Sequence, residues 1–168
     1  GNTARIAELL GEVQRARSAD LVMFPELAMC GYPPEDLLFH KGLRRQVSEG
    51  LATIAAATGD VAVLVGYPEF VDNHIYNSVA FLAGGRQVAN YRKCCLPNYS
   101  VFDEERYFTP GSGPAVVAFR GAKLGLGICE DVWQPEPSAR ATAAGAEVLL
   151  AVNGSPFEIG KQAQREQV

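Results

Sequence analysis

Three residues of types that can do covalent chemistry each follow a stretch that reads as a strand. Glu26 comes after Leu21–Pro25, Lys93 after Val88–Arg92, and Cys129 after Leu124–Ile128. A thiol is a strong nucleophile once ionised, and a neighbouring ammonium favours the thiolate. A carboxylate can take the thiol proton and later activate water. The ammonium, together with backbone N–H groups at the turn after Cys129, can hold the oxyanion formed when a carbonyl is attacked. Taken singly, each residue has a plainer use. A cysteine closing a buried strand is usually a small core side chain. A Glu after Phe-Pro often caps a helix, and a lone Lys is usually solvated. The chemistry therefore requires that the three meet. Metal binding is the weaker rival. His40 and His74 are the only histidines, no short spacing ties them to Cys or carboxylates, and no CxxC is present. Both read as surface or loop residues.

The three residues converge if their strands are neighbours, because reactive groups in α/β sheets gather at the carboxyl ends of strands. The periodicity supports such elements. Ile6, Leu9, Leu10 and Val13 at helical spacing predict a helix over residues 3–17, with Asn2 or Thr3 as its cap. Leu21–Phe24 and Val61–Gly66 are continuous apolar runs and read as buried strands. Pro33-Pro34-Glu35-Asp36 reads as a helix start, and Leu43, Val47, Leu51 and Ile54 mark a second helix over 41–57. Residues 75–83 and 86–92 flank Gly84-Gly85 as a hairpin. Residues 96–114 hold three Pro and two Gly and read as a long loop, long enough to suggest function. Strands at Val116–Phe119 and Leu124–Ile128 around a Gly121 turn, a weak helix at 138–145, a strand at Val148–Val152 and a polar helix from Lys161 complete the pattern. Together these predict a mixed sheet covered by helices.

The chain has 168 residues, 48% hydrophobic and 20% charged, which excludes wholesale disorder and fibrous repeats. The net charge of -4 and the absence of a Lys/Arg stripe argue against nucleic acid as a partner. No apolar run approaches the ~18 residues a membrane span needs. Cys30, Cys94, Cys95 and Cys129 are too few and too irregular for a disulfide framework, so a reducing cytoplasm is the expected setting. The chain opens on a helix with no strand before it and closes on Gln-Arg-Glu-Gln-Val inside a polar helix. It is expected to be part of a larger domain.

Phe24-Pro25-Glu26-Leu27, Tyr91-Arg92-Lys93 and Gly127-Ile128-Cys129-Glu130-Asp131 resemble the three signature segments of the nitrilase superfamily of C–N hydrolases. A narrower resemblance, to the glutaminase domain of the glutamine-dependent NAD⁺ synthetases, covers nearly the whole chain. It is carried by Gly31-Tyr32-Pro33-Pro34-Glu35-Asp36-Leu37-Leu38, by the run from Leu96 to Phe108 followed by Pro110-Gly111, and by Asn153-Gly154-Ser155-Pro156-Phe157 through Lys161. The resemblance implies an α/β fold, a nitrilase-like α-β-β-α sandwich of which residues 1–168 are an incomplete portion. It also implies roles. Glu26 is the general base, Lys93 the transition-state cation and Cys129 the nucleophile, with Glu104 matching an extra acid held near the lysine. Tyr99, Ser155 and Lys161 match positions that bind glutamine, and a hydroxyl pair with an ammonium suits the two ends of an amino acid. Tyr32 and Trp133 read as pocket wall or core.

The implied reaction hydrolyses the glutamine side-chain amide through a glutamyl thioester, with no cofactor for that step. The ammonia would serve an ATP- and Mg-dependent synthetase domain of the same polypeptide, converting deamido-NAD to NAD⁺. That domain's Ser-Gly-Gly-x-x-Ser phosphate loop is absent from these residues. Homo-oligomers are also implied. Two features depart from the family pattern: vicinal Cys94-Cys95, and Gly154 where Ala is common. The alternatives are a stand-alone amidase or carbamoylase and a non-catalytic module on the same fold.

Overall fold

The computed structural model describes residues 1–155 and 159–167. Pro156 and Phe157, part of the segment likened to a substrate-binding stretch, lie outside the described residues. The chain runs α1 (Asn2–Ala16), β1 (Leu21–Met23), α2 (Leu43–Ala56), β2 (Ala62–Val71), β3 (His74–Ala83), β4 (Arg86–Arg92), β5 (Val116–Phe119), β6 (Ala122–Ile128), α3 (Pro135–Ala143), β7 (Val148–Val152) and α4 (Lys161–Arg165). Among the described residues the strands form two sheets. The first has the order β1-β2-β3-β4, with β1 parallel to β2 and the rest antiparallel. The second has the order β5-β6-β7, with β6 and β7 parallel.

The apolar run in β2 follows from burial on both faces. Val63, Val65 and Tyr67, with Ala80 and Leu82 of β3, pack against Ile6 and Leu10 of α1 and Val47 and Ile54 of α2. The alternate residues Ala62, Leu64, Val79 and Phe81 face Val117, Leu124, Leu126 and Ile128 of the second sheet. On that sheet's far face Gly125 leaves room for α3, since a Cβ there would sit 3.3 Å from the Ala141 Cβ. The layers are helix, sheet, sheet, helix, as the resemblance implied.

Three local expectations are corrected. Neither Asn2 nor Thr3 caps α1: Gly1 stands at the cap, and Asn2 Nδ2 instead donates to Ala28 O at 2.9 Å. The Pro33-Pro34 start leads to a short 3-10 helix over Glu35–Phe39. β2 runs on to Val71, past the Gly66 where the apolar run ends, because antiparallel pairing with β3 satisfies its backbone. No helix among the described residues is long and apolar enough to cross a membrane.

Candidate active site

The three sheet-end residues meet. After β1, Phe24 N still donates to Leu64 O at 2.8 Å, and the chain then turns sharply, with Leu27 at φ 50°. The turn lies directly on β2 at Gly66. A Cβ there would strike Leu27 N and would lie 2.6 Å from Pro25 O and 2.8 Å from Glu26 Cα, so only glycine lets Glu26 approach this closely. Lys93 follows β4, its N–H donating to Asn77 O at 2.8 Å and its carbonyl accepting from Gly111 N at 2.7 Å. Cys129 directly follows β6 and opens a 3-10 turn over Cys129–Val132, at φ 45°. Left-handed backbone is uncommon for non-glycine residues and clusters at working sites.

Lys93 Nζ donates to Glu26 Oε1 at 2.7 Å and to Glu104 Oε1 at 2.8 Å, with the side chains of Lys93 and Glu26 fully buried. Asn77 Nδ2 also donates to Glu26 Oε1, at 2.8 Å, and Gly154 N donates to Oε2 at 2.8 Å. Tyr32 O–H donates to Glu104 Oε1 at 2.8 Å. The Cys129 Sγ lies 3.2 Å from Ser155 Oγ, and the charges of Glu26 and Lys93 both act on it.

Burial, with the negative charge of Glu26 behind it, pushes the Cys129 thiol pKa up, while Ser155 and Lys93 pull the other way. The resting sulfur therefore keeps its proton. Burial alone would lower the Lys93 pKa, but attraction to Glu26 and Glu104 outweighs it and holds the ammonium charged. Burial raises the Glu104 pKa against the pull of Lys93, and its Oε2 is buried with no donor among the described residues.

Of the remaining expected residues, Tyr99 and Ser155 lie beside this cluster, whereas Lys161 is placed against Trp133. Tyr99 is exposed at the rim, its O–H donating to Glu130 Oε2 at 2.8 Å, next to Cys129. Ser155 touches the sulfur itself. Lys161 opens α4 with its ammonium 5.6 Å from the centroid of the Trp133 ring. His40 and His74 are exposed, and among the described residues no cluster of His, Cys, Asp or Glu is arranged to hold a metal ion. A hollow of about 710 Å³ lined by Gln14, Arg17, Asp60 and Arg120 lies at the opposite strand ends, away from the reactive groups.

Two partners went unnoticed in the sequence. Tyr32, read as wall or core, orients Glu104. Asn77 fixes Glu26. Its signal was present: Asn77 and Ser78 are polar residues inside a strand buried on both faces, and such groups need specific partners. Gly154, marked as a departure, brings its N–H to Glu26, where a Cβ would stand 3.2 Å from Oε2 and 3.0 Å from Tyr32 Cγ.

Residues 1–167 match the carbon-nitrogen hydrolase family. The chain is 47% identical over 167 residues to a glutamine-dependent NAD(+) synthetase of Xanthomonas campestris pv. campestris, covering 98% of this chain and 30% of that protein. It superposes on the glutamine-dependent NAD+ synthetase of Acinetobacter baumannii, solved with ADP, with a TM-score of 0.92 and 34% identity, over 99% of this chain and 31% of that one. It also superposes on a mutant amidase from Nesterenkonia sp. AN1 that carries acrylamide at its active-site cysteine. There the TM-score is 0.79 and the identity 25%, over 90% of this chain and 60% of that one. The chain thus spans about 30% of the length of the curated relatives it matches.

Proposed function

The chain belongs to the carbon–nitrogen hydrolase family, and on that premise we propose that it hydrolyses the side-chain amide of glutamine through a Glu26-Lys93-Cys129 triad. The observation that carries this reading is the buried Lys93 ammonium bound to both Glu26 and Glu104, together with a cysteine whose sulfur lies 3.2 Å from Ser155 Oγ and feels the charges of both Glu26 and Lys93.

The proton path follows from the hydrogen bonds. Each carboxylate oxygen accepts along two lone pairs. Oε1 of Glu26 already accepts from Lys93 and Asn77, and Oε2 accepts from Gly154, so Oε2 has the capacity to take the thiol proton. The Cys129 thiolate attacks the amide carbon, and the oxyanion faces Lys93 Nζ and the backbone N–H groups of the following turn. Collapse expels ammonia, which takes its proton from Glu26, and leaves a γ-glutamyl thioester. Glu26 then removes a proton from water, hydroxide attacks the thioester carbonyl, and glutamate departs as the sulfur is reprotonated. Tyr99, Ser155 and Lys161 would hold the amino and carboxylate ends of the substrate. The ammonia would pass to an ATP-dependent domain of the same polypeptide, outside this chain, to amidate deamido-NAD.

The test uses the full-length protein with ATP and deamido-NAD. Cys129→Ala is expected to abolish synthesis driven by glutamine and to leave synthesis driven by ammonium salts. A mutant that still uses glutamine normally would overturn the assignment. The likeness to an amidase supports a second reading, a stand-alone amidase, which predicts amide hydrolysis without any response to ATP or deamido-NAD. A non-catalytic module predicts that a diazo-ketone analogue of glutamine leaves Cys129 unmodified in folded protein.

A further inference from the structure

Asp131 takes no part in the chemistry above, yet it is 1% exposed and sits two residues after the nucleophile. Its carboxylate collects four donors. Oδ1 accepts the backbone N–H of Cys94 at 3.0 Å and of Cys95 at 2.8 Å. Oδ2 accepts the backbone N–H of Ile128 at 3.2 Å and the Tyr91 O–H at 3.0 Å. These donors come from both sheets. Tyr91 lies in β4, and Cys94 and Cys95 are the two residues after Lys93. Ile128 ends β6, immediately before Cys129.

One carboxylate therefore clamps the chain leaving the lysine to the turn that carries the sulfur. The bond back to Ile128 N also braces the turn in which Cys129 holds φ 45°. The side chain must accept at both oxygens. An asparagine would turn an N–H toward one pair of these donors. Burial raises the Asp131 pKa, and the donors from Cys95, Tyr91, Ile128 and Cys94 oppose that rise.

We propose that Asp131 is a positioning residue for the reaction: it sets the distance and angle between Lys93 and the Cys129 sulfur across the two sheets. The proposal rests on the triad reading above. It predicts that loss of the carboxylate lowers turnover by misplacing two groups that Asp131 does not itself contact through its side chain.

The test compares full-length wild type with Asp131→Asn, measuring ammonia release from glutamine and the pH dependence of Cys129 carboxamidomethylation by iodoacetamide, followed on the Cys129 peptide by mass spectrometry. The expected result is a fall in kcat of about tenfold or more, since small misplacements of reacting groups are costly. KM should stay within about threefold. The pH midpoint of alkylation should rise, because a sulfur further from the Lys93 ammonium loses its help. A lower unfolding temperature with unchanged kcat and unchanged alkylation profile would make Asp131 an ordinary structural anchor and overturn the proposal. Should Asp131→Asn fail to fold, Tyr91→Phe removes one donor with little change in volume. It should lower kcat by at least about twofold with KM held, and an unchanged kcat would likewise overturn the proposal. Wild type inert toward glutamine would defeat the substrate assignment, and the alkylation profile would still decide the case of Asp131.

Discussion

The sulfur of Cys129 sits between influences of opposite sign. Burial and the Glu26 carboxylate raise its pKa, and Ser155 and Lys93 lower it. Glu26→Gln separates these influences from the proton transfer. Removing the charge lowers the thiol pKa, so the pH midpoint of iodoacetamide labelling at Cys129 should move down. Removing the base should cut glutamine turnover by about 10²–10⁴-fold. The variant is thus expected to have a more readily ionised sulfur and a slower enzyme. A midpoint that stays put or rises would mean that Glu26 does not charge the sulfur's surroundings. At this scale Glu26, Lys93 and Cys129 were legible as residue types at strand ends, and Glu104 only through the family resemblance. The tie between Tyr32 and Glu104 was not. They are 72 residues apart, and no local pattern links a tyrosine hydroxyl to one particular carboxylate.

At the scale of elements, two contacts decide where the carboxylate and the ammonium stand. Gly66 allows the turn after β1 to rest on β2, and the carbonyl of Asn77 in β3 receives the N–H of Lys93. Gly66→Ala drives a methyl group into the backbone at Pro25–Leu27. The cost in stability should be about 1–3 kcal/mol, as for other overpacked sites, read from urea unfolding. Activity should fall further than folding accounts for, because the displaced turn carries Glu26. A variant of unchanged stability and activity would show that the turn relaxes freely. The inner strands were legible because two buried faces leave continuous apolar runs, and the hairpin because Gly84-Gly85 sits between two strand-like segments. The cap of α1 was not. Asn2 has the right side chain for a cap, but a carbonyl at Ala28, beyond β1, claims its amide.

Across the whole molecule, the site is a buried cluster of charge between two sheets, and stability should register its titration. Burial raises the Glu104 pKa above 4.5, despite Lys93. A carboxyl with a raised folded pKa contributes stability that is present below its unfolded value and is lost as pH rises through the folded one. The Lys93 pKa is raised above 10.5, so its own contribution stays complete throughout the acid and neutral range and is lost only at higher pH. Glu104→Gln cannot ionise. The stability of wild type relative to this variant should therefore decline as pH rises above about 4.5 and through the raised Glu104 value, measured from urea midpoints. A difference that is flat or grows with pH would contradict a raised Glu104.

The amino-acid sequence by itself determined which groups are available and in what order. It set a carboxylate, an ammonium and a thiol after three strand segments, a second acid in the loop of residues 96–114, and the period of each helix and strand. These properties depend on neighbours a few residues away, which is why they can be read along the chain. Tertiary structure alone decided that the groups touch. Their separation is set by Leu64, Val79 and Phe81 packing on Val117, Leu126 and Ile128 between the sheets, and by backbone bonds such as Lys93 N to Asn77 O. Asp131 belongs to the same level. A carboxylate that gathers donors from both sheets has meaning only after those sheets have met.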